Sequence, residues 1–112
     1  MKGEALKGHL DGLLLATVRA DARHGYAIVE ELRRLSGGVF DLPEGTIYPA
    51  LHRLEQGGLL DSRWEMENGR RRRVYLLTPR GRAALVKQRR AWSEFAAAMS
   101  AVLEGTPCPK PI

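Results

Sequence analysis

The chain has 112 residues, 44% apolar and 28% charged, with a formal net charge of +5. That is the length of one domain with a modest core. No apolar run approaches the roughly 20 residues that span a bilayer, and Cys108 is the single cysteine, so neither a membrane helix nor an internal disulfide framework is expected. The opening stretch, MKGEALKGHLDGLLLATVRA, is interrupted by Glu4, His9 and Asp11, which argues against a signal-peptide core. A cytoplasmic protein with no membrane partner is the expectation.

Residues 4 to 20 carry Leu6, Leu10, Leu13, Leu14, Thr17 and Val18 at helical spacing, and predict a first amphipathic helix. HGYAIVEELRRLSGG predicts a second, closed at Gly37-Gly38, with Tyr26 expected to pack beneath the helix that follows. VFDLPEGTIYPALHRLEQGGLL predicts a third. It starts either near Pro43, losing one hydrogen bond at Pro49, or near Thr46 with Pro49 in its first turn. At 100° per residue, Ile47, Ala50, Leu51 and Leu54 share one face. Gly45, Pro49, His52 and Gln56 lie opposite, flanked by Tyr48 on one side and by Thr46 and Arg53 on the other.

Next come LLDSRWEME, NG and RRRRVYLLT. Asn-Gly between two such runs predicts a hairpin with a type I′ turn. The turn sets Glu67 opposite Arg70, Met66 opposite Arg71, Glu65 opposite Arg72 and Trp64 opposite Arg73. Arg70 and Arg72 thus have cross-strand carboxylates, and Arg71 and Arg73 do not. The latter two share a face with Trp64 and Tyr75, which can hold their stems flat. Thr78 and Pro79 begin a last helix that runs to about Leu103. Its seam is Leu85, Gln88, Trp92, Phe95, Met99 and Val102, spaced 3, 4, 3, 4, 3, as in a helix lying along another helix. EGTPCPKPI is a Pro-rich tail expected to fray.

Charge sharpens this order of elements. Residues 70 to 90 hold nine of the 18 Lys and Arg and no acid. Such a cluster favours an anionic partner. Helix, helix, helix, hairpin and long helix make a winged helix-turn-helix, a mainly α (α+β) fold. In that fold the third helix enters the major groove and the hairpin lies on the backbone or minor groove. Four adjacent arginines repel in the free protein, and phosphate offsets that repulsion while counterions are released.

The stretches HGYAI at 24 to 28, GTIYPALHRLEQGGLL at 45 to 60 and GRRRRVYLLTPRG at 69 to 81 resemble the PadR family of bacterial transcriptional regulators, in its short form with one C-terminal helix. The resemblance spans about residues 5 to 103. It implies a homodimeric repressor of operator DNA, with a winged helix-turn-helix over residues 1–78, a dimerisation helix over 79–104 and a flexible tail over 105–112. It implies a recognition helix built on Thr46, Tyr48, Pro49, His52 and Arg53, and a wing using Arg71, Arg72 and Arg73, beside Arg70. It also suggests small aromatic or drug-like compounds as effectors between the subunits.

Bland readings stand beside these. Thr46 and Tyr48 contact phosphate or only cap and pack their helix. Arg53 reads guanine or pairs with Glu44 or Glu55. Arg80, Arg82, Lys87, Arg89 and Arg90 make a solvated helix face as readily as a DNA contact. Trp92, with Phe95 and Met99, packs a dimer core or stacks a flat ligand. His9, His24, His52 and Cys108 lack metal-ligand spacing, so no cofactor is expected, and no nucleophile or carboxylate pair supports an enzyme. The rival functions are a winged-helix adaptor for an acidic partner and an RNA binder, which would want an aromatic platform within the basic run.

Overall fold

In the computed structural model, residue 6 and residues 8–108 are described. The first helix, α1, is Leu10–Thr17, shorter than the spacing of apolar residues predicts. Gly8 sits at φ +88°, a left-handed conformation that cannot continue into a helix, and His9 becomes the N-cap. The rest of the expected first turns, residues 4, 5 and 7, lies outside the described residues. At the other end Arg23 Nε donates to the Thr17 carbonyl at 2.8 Å, satisfying one of the helix's terminal acceptors.

Arg23–His24 form β1, a two-residue strand that periodicity cannot announce. The second helix, α2, is Gly25–Leu35, and its N-cap His24 accepts from Ala27 N–H through Nδ1 at 3.2 Å. The third, α3, is Glu44–Gln56 with Pro43 as N-cap. Pro49 therefore lies inside it, and the first of the two expected starts is the one adopted. Ile47, Ala50, Leu51 and Leu54 are all buried, as the 100° spacing requires.

Leu60–Glu67 (β2) and Arg70–Leu77 (β3) form the hairpin. Asn68 and Gly69 both take positive φ, +52° and +77°, as a type I′ turn demands. The register is the expected one, with Glu67, Met66, Glu65 and Trp64 opposite Arg70, Arg71, Arg72 and Arg73. β1 adds to the other edge of β3, giving an antiparallel sheet in the order β1-β3-β2. This is the winged-helix arrangement that the element order predicts.

The last helix, α4, is Pro79–Glu104. Thr78 caps it, accepting from Gly81 N–H at 2.9 Å while its hydroxyl lies 2.7 Å from the Gly58 carbonyl. Leu14, Ile28, Ile47, Leu51 and Leu60 are fully buried where the first three helices meet the sheet. Leu85 joins that core at 5% exposure, and Gln88 lies against the buried Gly12 of α1. The seam of α4 thus divides. Its first two positions pack within the chain, and Trp92, Phe95, Met99 and Val102 stand exposed. No helix among the described residues is long and apolar enough to cross a membrane.

Tyr26 does not pack beneath α3 and is half-exposed. Tyr48 takes the packing role instead. Its ring lies on Gly25, where a Cβ would stand 2.2 Å from Tyr48 Cε1. Only a glycine at the start of α2 lets α3 approach so closely.

Gly81 is tighter still. A Cβ there would lie 1.9 Å from the Leu59 carbonyl oxygen, and backbone cannot yield as a side chain does. Gly81→Ala is expected to lower stability by about 1–3 kcal/mol, the range of overpacked cores. Thermal unfolding followed by circular dichroism measures it, and an unchanged midpoint would mean that α4 does not seat on the turn before β2 in this way.

Candidate nucleic-acid interface

The four wing arginines alternate across β3, because strand side chains point to opposite faces in turn. Each of three has its own seat. Arg71 lies over the Trp64 ring, 4.5 Å from its centroid, and Arg73 flanks the same ring at 5.4 Å. Arg73 also reaches α3. Its Nη2 is 3.2 Å from Glu55 Oε2, and its Nε donates to Ser62 Oγ at 2.9 Å. The Ser62 hydroxyl in turn donates to Glu55. Arg73, expected to lack a carboxylate, therefore has one, brought by tertiary contact from 18 residues away.

Arg72 turns to the opposite side. Its Nη1 is 3.0 Å from His24 Nε2 and 3.4 Å from Nδ1. Near-equal distances to both ring nitrogens place that nitrogen over the imidazole face, off either lone pair. Arg72 also lies 3.7 Å from Glu67, one pleat from its expected partner Glu65, which pairs with Arg63. Among the described residues Arg70 forms no ion pair. His24, Gly25, Tyr26, Tyr48, Tyr75 and the four arginines line one shallow groove of about 270 Å³. This groove joins the start of α2, the side of α3 and the wing. Sequence reasoning missed His24 as part of it, and missed Ser62 and Glu55 as the seat of Arg73. The HGY stretch was visible, but nothing local in it points to Arg72, 48 residues on.

On α3, Thr46, Pro49, His52 and Arg53 are exposed and Tyr48 is half-buried at the groove's wall. Burial raises the Tyr48 phenol above its ordinary value, so the hydroxyl stays protonated and able to donate. Arg53 pairs with neither Glu44 nor Glu55. Its guanidinium donates to Asp11 of α1. Arg80, Arg82, Lys87, Arg89 and Arg90 are exposed along α4 and outside the groove. At mid-α4 the half-exposed Trp92 meets His9 edge-on at 5.4 Å and Phe95 at 5.7 Å.

The sequence and the fold are similar to those of known proteins. The family model described as the transcriptional regulator PadR-like family matches residues 14–87. Transcriptional regulator Rv3488 of Mycobacterium tuberculosis is 49% identical over 73 residues, and that stretch covers 65% of this chain and 65% of Rv3488. A PadR-family transcriptional regulator of Eggerthella lenta superposes with a TM-score of 0.75 at 30% identity, over 90% of this chain and 87% of that one. Bacillus subtilis PadR, solved with operator DNA, superposes with a TM-score of 0.65 at 24% identity, over 70% of this chain and 45% of its own.

Glu55 gives the seat of Arg73 a pH dependence. Its carboxyl is held below the ordinary 4.5, first by the Ser62 hydroxyl and then by Arg73, against the opposing effect of burial. A depressed folded-state value means that its contribution is whole above about 4.5 and is lost as pH falls through the folded value. Glu55→Gln is expected to unfold with a shallower loss of stability between pH 6 and pH 3 than the parent. The difference should be no more than about 1 kcal/mol, as for other partly exposed pairs. Denaturant melts at several pH values measure it, and parallel pH profiles would show that Glu55 does not hold the wing.

Proposed function

The chain belongs to the PadR-like family of transcriptional regulators, and on that footing we propose that it is a homodimeric, sequence-specific DNA-binding repressor. The carrying observation is the groove, where four arginines stand beside a third helix whose outward face is small, polar and almost free of acid. In this reading α3 enters the major groove. Arg53 and His52 reach base edges there, and Thr46, with the protonated Tyr48 hydroxyl, donates to backbone phosphate. Pro49 keeps the approach free of a bulky side chain. Arg70, Arg71, Arg72 and Arg73 contact the flanking backbone, with His24 holding Arg72 at the groove's edge. The precedent of Bacillus subtilis PadR with operator DNA supports the use of this fold on a duplex.

Two chains would pair along the exposed part of α4, through Trp92, Phe95, Met99 and Val102. Their recognition helices would then meet half-sites about one helical turn apart, or a multiple of it, on a palindrome. The same aromatic stretch suits a flat aromatic or drug-like effector stacked between the subunits. It regulates only if it binds one arrangement of the reading heads better than another.

The test is binding to a duplex drawn from the DNA flanking its own gene, against a scrambled duplex, titrated with salt. Log affinity is expected to fall steeply with log salt, and the flanking duplex to be preferred. Arg71→Ala should lower the slope by about 0.9 on both duplexes, as for one lost phosphate contact. Arg53→Ala should narrow the preference by about 1–3 kcal/mol. Absence of binding to either duplex at low salt would sink this reading in favour of a winged-helix adaptor.

A further inference from the structure

We infer that Asp11 is a positioning residue for Arg53, and that the first turn of α1 ties this arginine's availability to the seating of α4. The inference rests on the DNA-reading role proposed for α3. Arg53 is the one Lys or Arg in α3, so its freedom sets how much positive charge the helix itself offers. Its guanidinium is held by a carboxylate from 42 residues earlier in the chain, on the first turn of α1.

The neighbours of Asp11 grip α4. His9, the N-cap of α1, meets Trp92 edge-on at 75°. Gly12 is buried, and a Cβ on it would stand 2.3 Å from Gln88 Cγ, so the two helices touch there with no slack. Positions 9 and 12 share one side of a helix, and position 11 lies about 100° from position 12. One turn therefore holds α4 on one side and the cation of α3 on another. A shift of α4 along α1 must carry Asp11 with it, or move Gln88 out of its seat.

The Asp11–Arg53 pair is exposed, with side chains 50% and 61% accessible. Such a pair is weak enough to exchange for a nucleic-acid acceptor, so it biases Arg53 without locking it. While paired, the guanidinium has its direction fixed and its charge partly neutralised. An acceptor presented at the right place by a cognate duplex displaces the carboxylate, and a random phosphate does so less well. Asp11 thus withholds Arg53 from non-cognate DNA.

The experiment is a double-mutant cycle on the full chain, with affinity for the flanking and scrambled duplexes measured at one salt concentration. Asp11→Asn is expected to tighten binding to the scrambled duplex about three- to five-fold. It should gain less on the flanking duplex, so discrimination narrows. In an Arg53→Ala background the same change should do nothing, and Asp11→Glu should restore most of the discrimination. His9→Ala should reproduce part of the effect, because it loosens the same turn from Trp92. A gain that persists without Arg53 would be a long-range charge effect and would overturn the inference, as would an unchanged discrimination ratio in Asp11→Asn. Parent protein that binds neither duplex would remove this inference together with the DNA-binding reading. Parent protein that discriminates while Asp11→Asn matches it would remove this inference alone.

Discussion

Four guanidinium groups on consecutive residues repel one another, and the architecture around the wing follows from how that repulsion is relieved. Strand alternation separates them into two pairs on opposite faces. On one face the Trp64 ring takes Arg71 on its π surface, with Arg73 at its flank, a cation–π arrangement that also fixes their direction. Glu55 and Ser62 complete the seat of Arg73. On the other face Arg72 lies over His24 and near Glu67. All three seats use β2, and two of them add a group from elsewhere, Glu55 of α3 and His24 at the start of α2, so relieving the repulsion also draws these elements to the wing. The basic tip is therefore part of the tertiary structure and not an appendage to it.

The acids near the groove have a common logic. Glu55 belongs to α3, yet its carboxylate is turned to the wing and matched by Arg73, so it adds little negative potential to the outward face of the helix. Glu44 stands in the first turn of α3, where the positive end of the helix dipole favours it. Asp11 comes from another helix and meets Arg53. Internal counter-ions of this kind keep a highly basic surface compatible with a small folded domain. They are also weak enough, being partly exposed, to give way to phosphate.

Much of the fold was legible in the sequence because local rules decide it. Asn68 and Gly69 require one turn type, and that turn dictates all four cross-strand pairs. The α3 face of Ile47, Ala50, Leu51 and Leu54 follows from helical spacing alone. What escaped was set by tertiary placement. Glu55–Arg73, Asp11–Arg53 and His24–Arg72 join residues 18, 42 and 48 apart, and no periodicity carries such information. β1 has two residues, too few for an alternation to register. Tyr48 took the packing place expected of Tyr26 because Gly25, lacking a Cβ, opened a space at the helix crossing. The seam of α4 had the right spacing, but spacing does not say whether a position meets the same chain or another. Leu85 meets the same chain.

That division of the seam has a mechanical consequence. The first turn of α4 is fixed to the turn between α3 and β2, since Thr78 binds the Gly58 carbonyl and Gly81 lies on Leu59. Seven residues beyond Gly81, Gln88 is seated on Gly12 of α1. Past that point Trp92 keeps an edge contact with His9, and Phe95, Met99 and Val102 stand exposed, on a helix with a continuous backbone and no proline after Pro79. The helix is thus held at its start and along α1, and its last part stands clear of the rest of the described residues. A rigid shift of the whole helix would disturb the contacts of the turn before β2 or those of α1. Both of those lead within one residue contact to α3 or the wing, through Glu55–Ser62 on one side and Asp11–Arg53 on the other. Among the described residues, the exposed apolar stretch of α4 and the basic wing are therefore joined by a short path that begins in close-packed contacts, Gln88 on Gly12 and Gly81 on Leu59, and ends in the polar side-chain pairs Asp11–Arg53 and Glu55–Ser62.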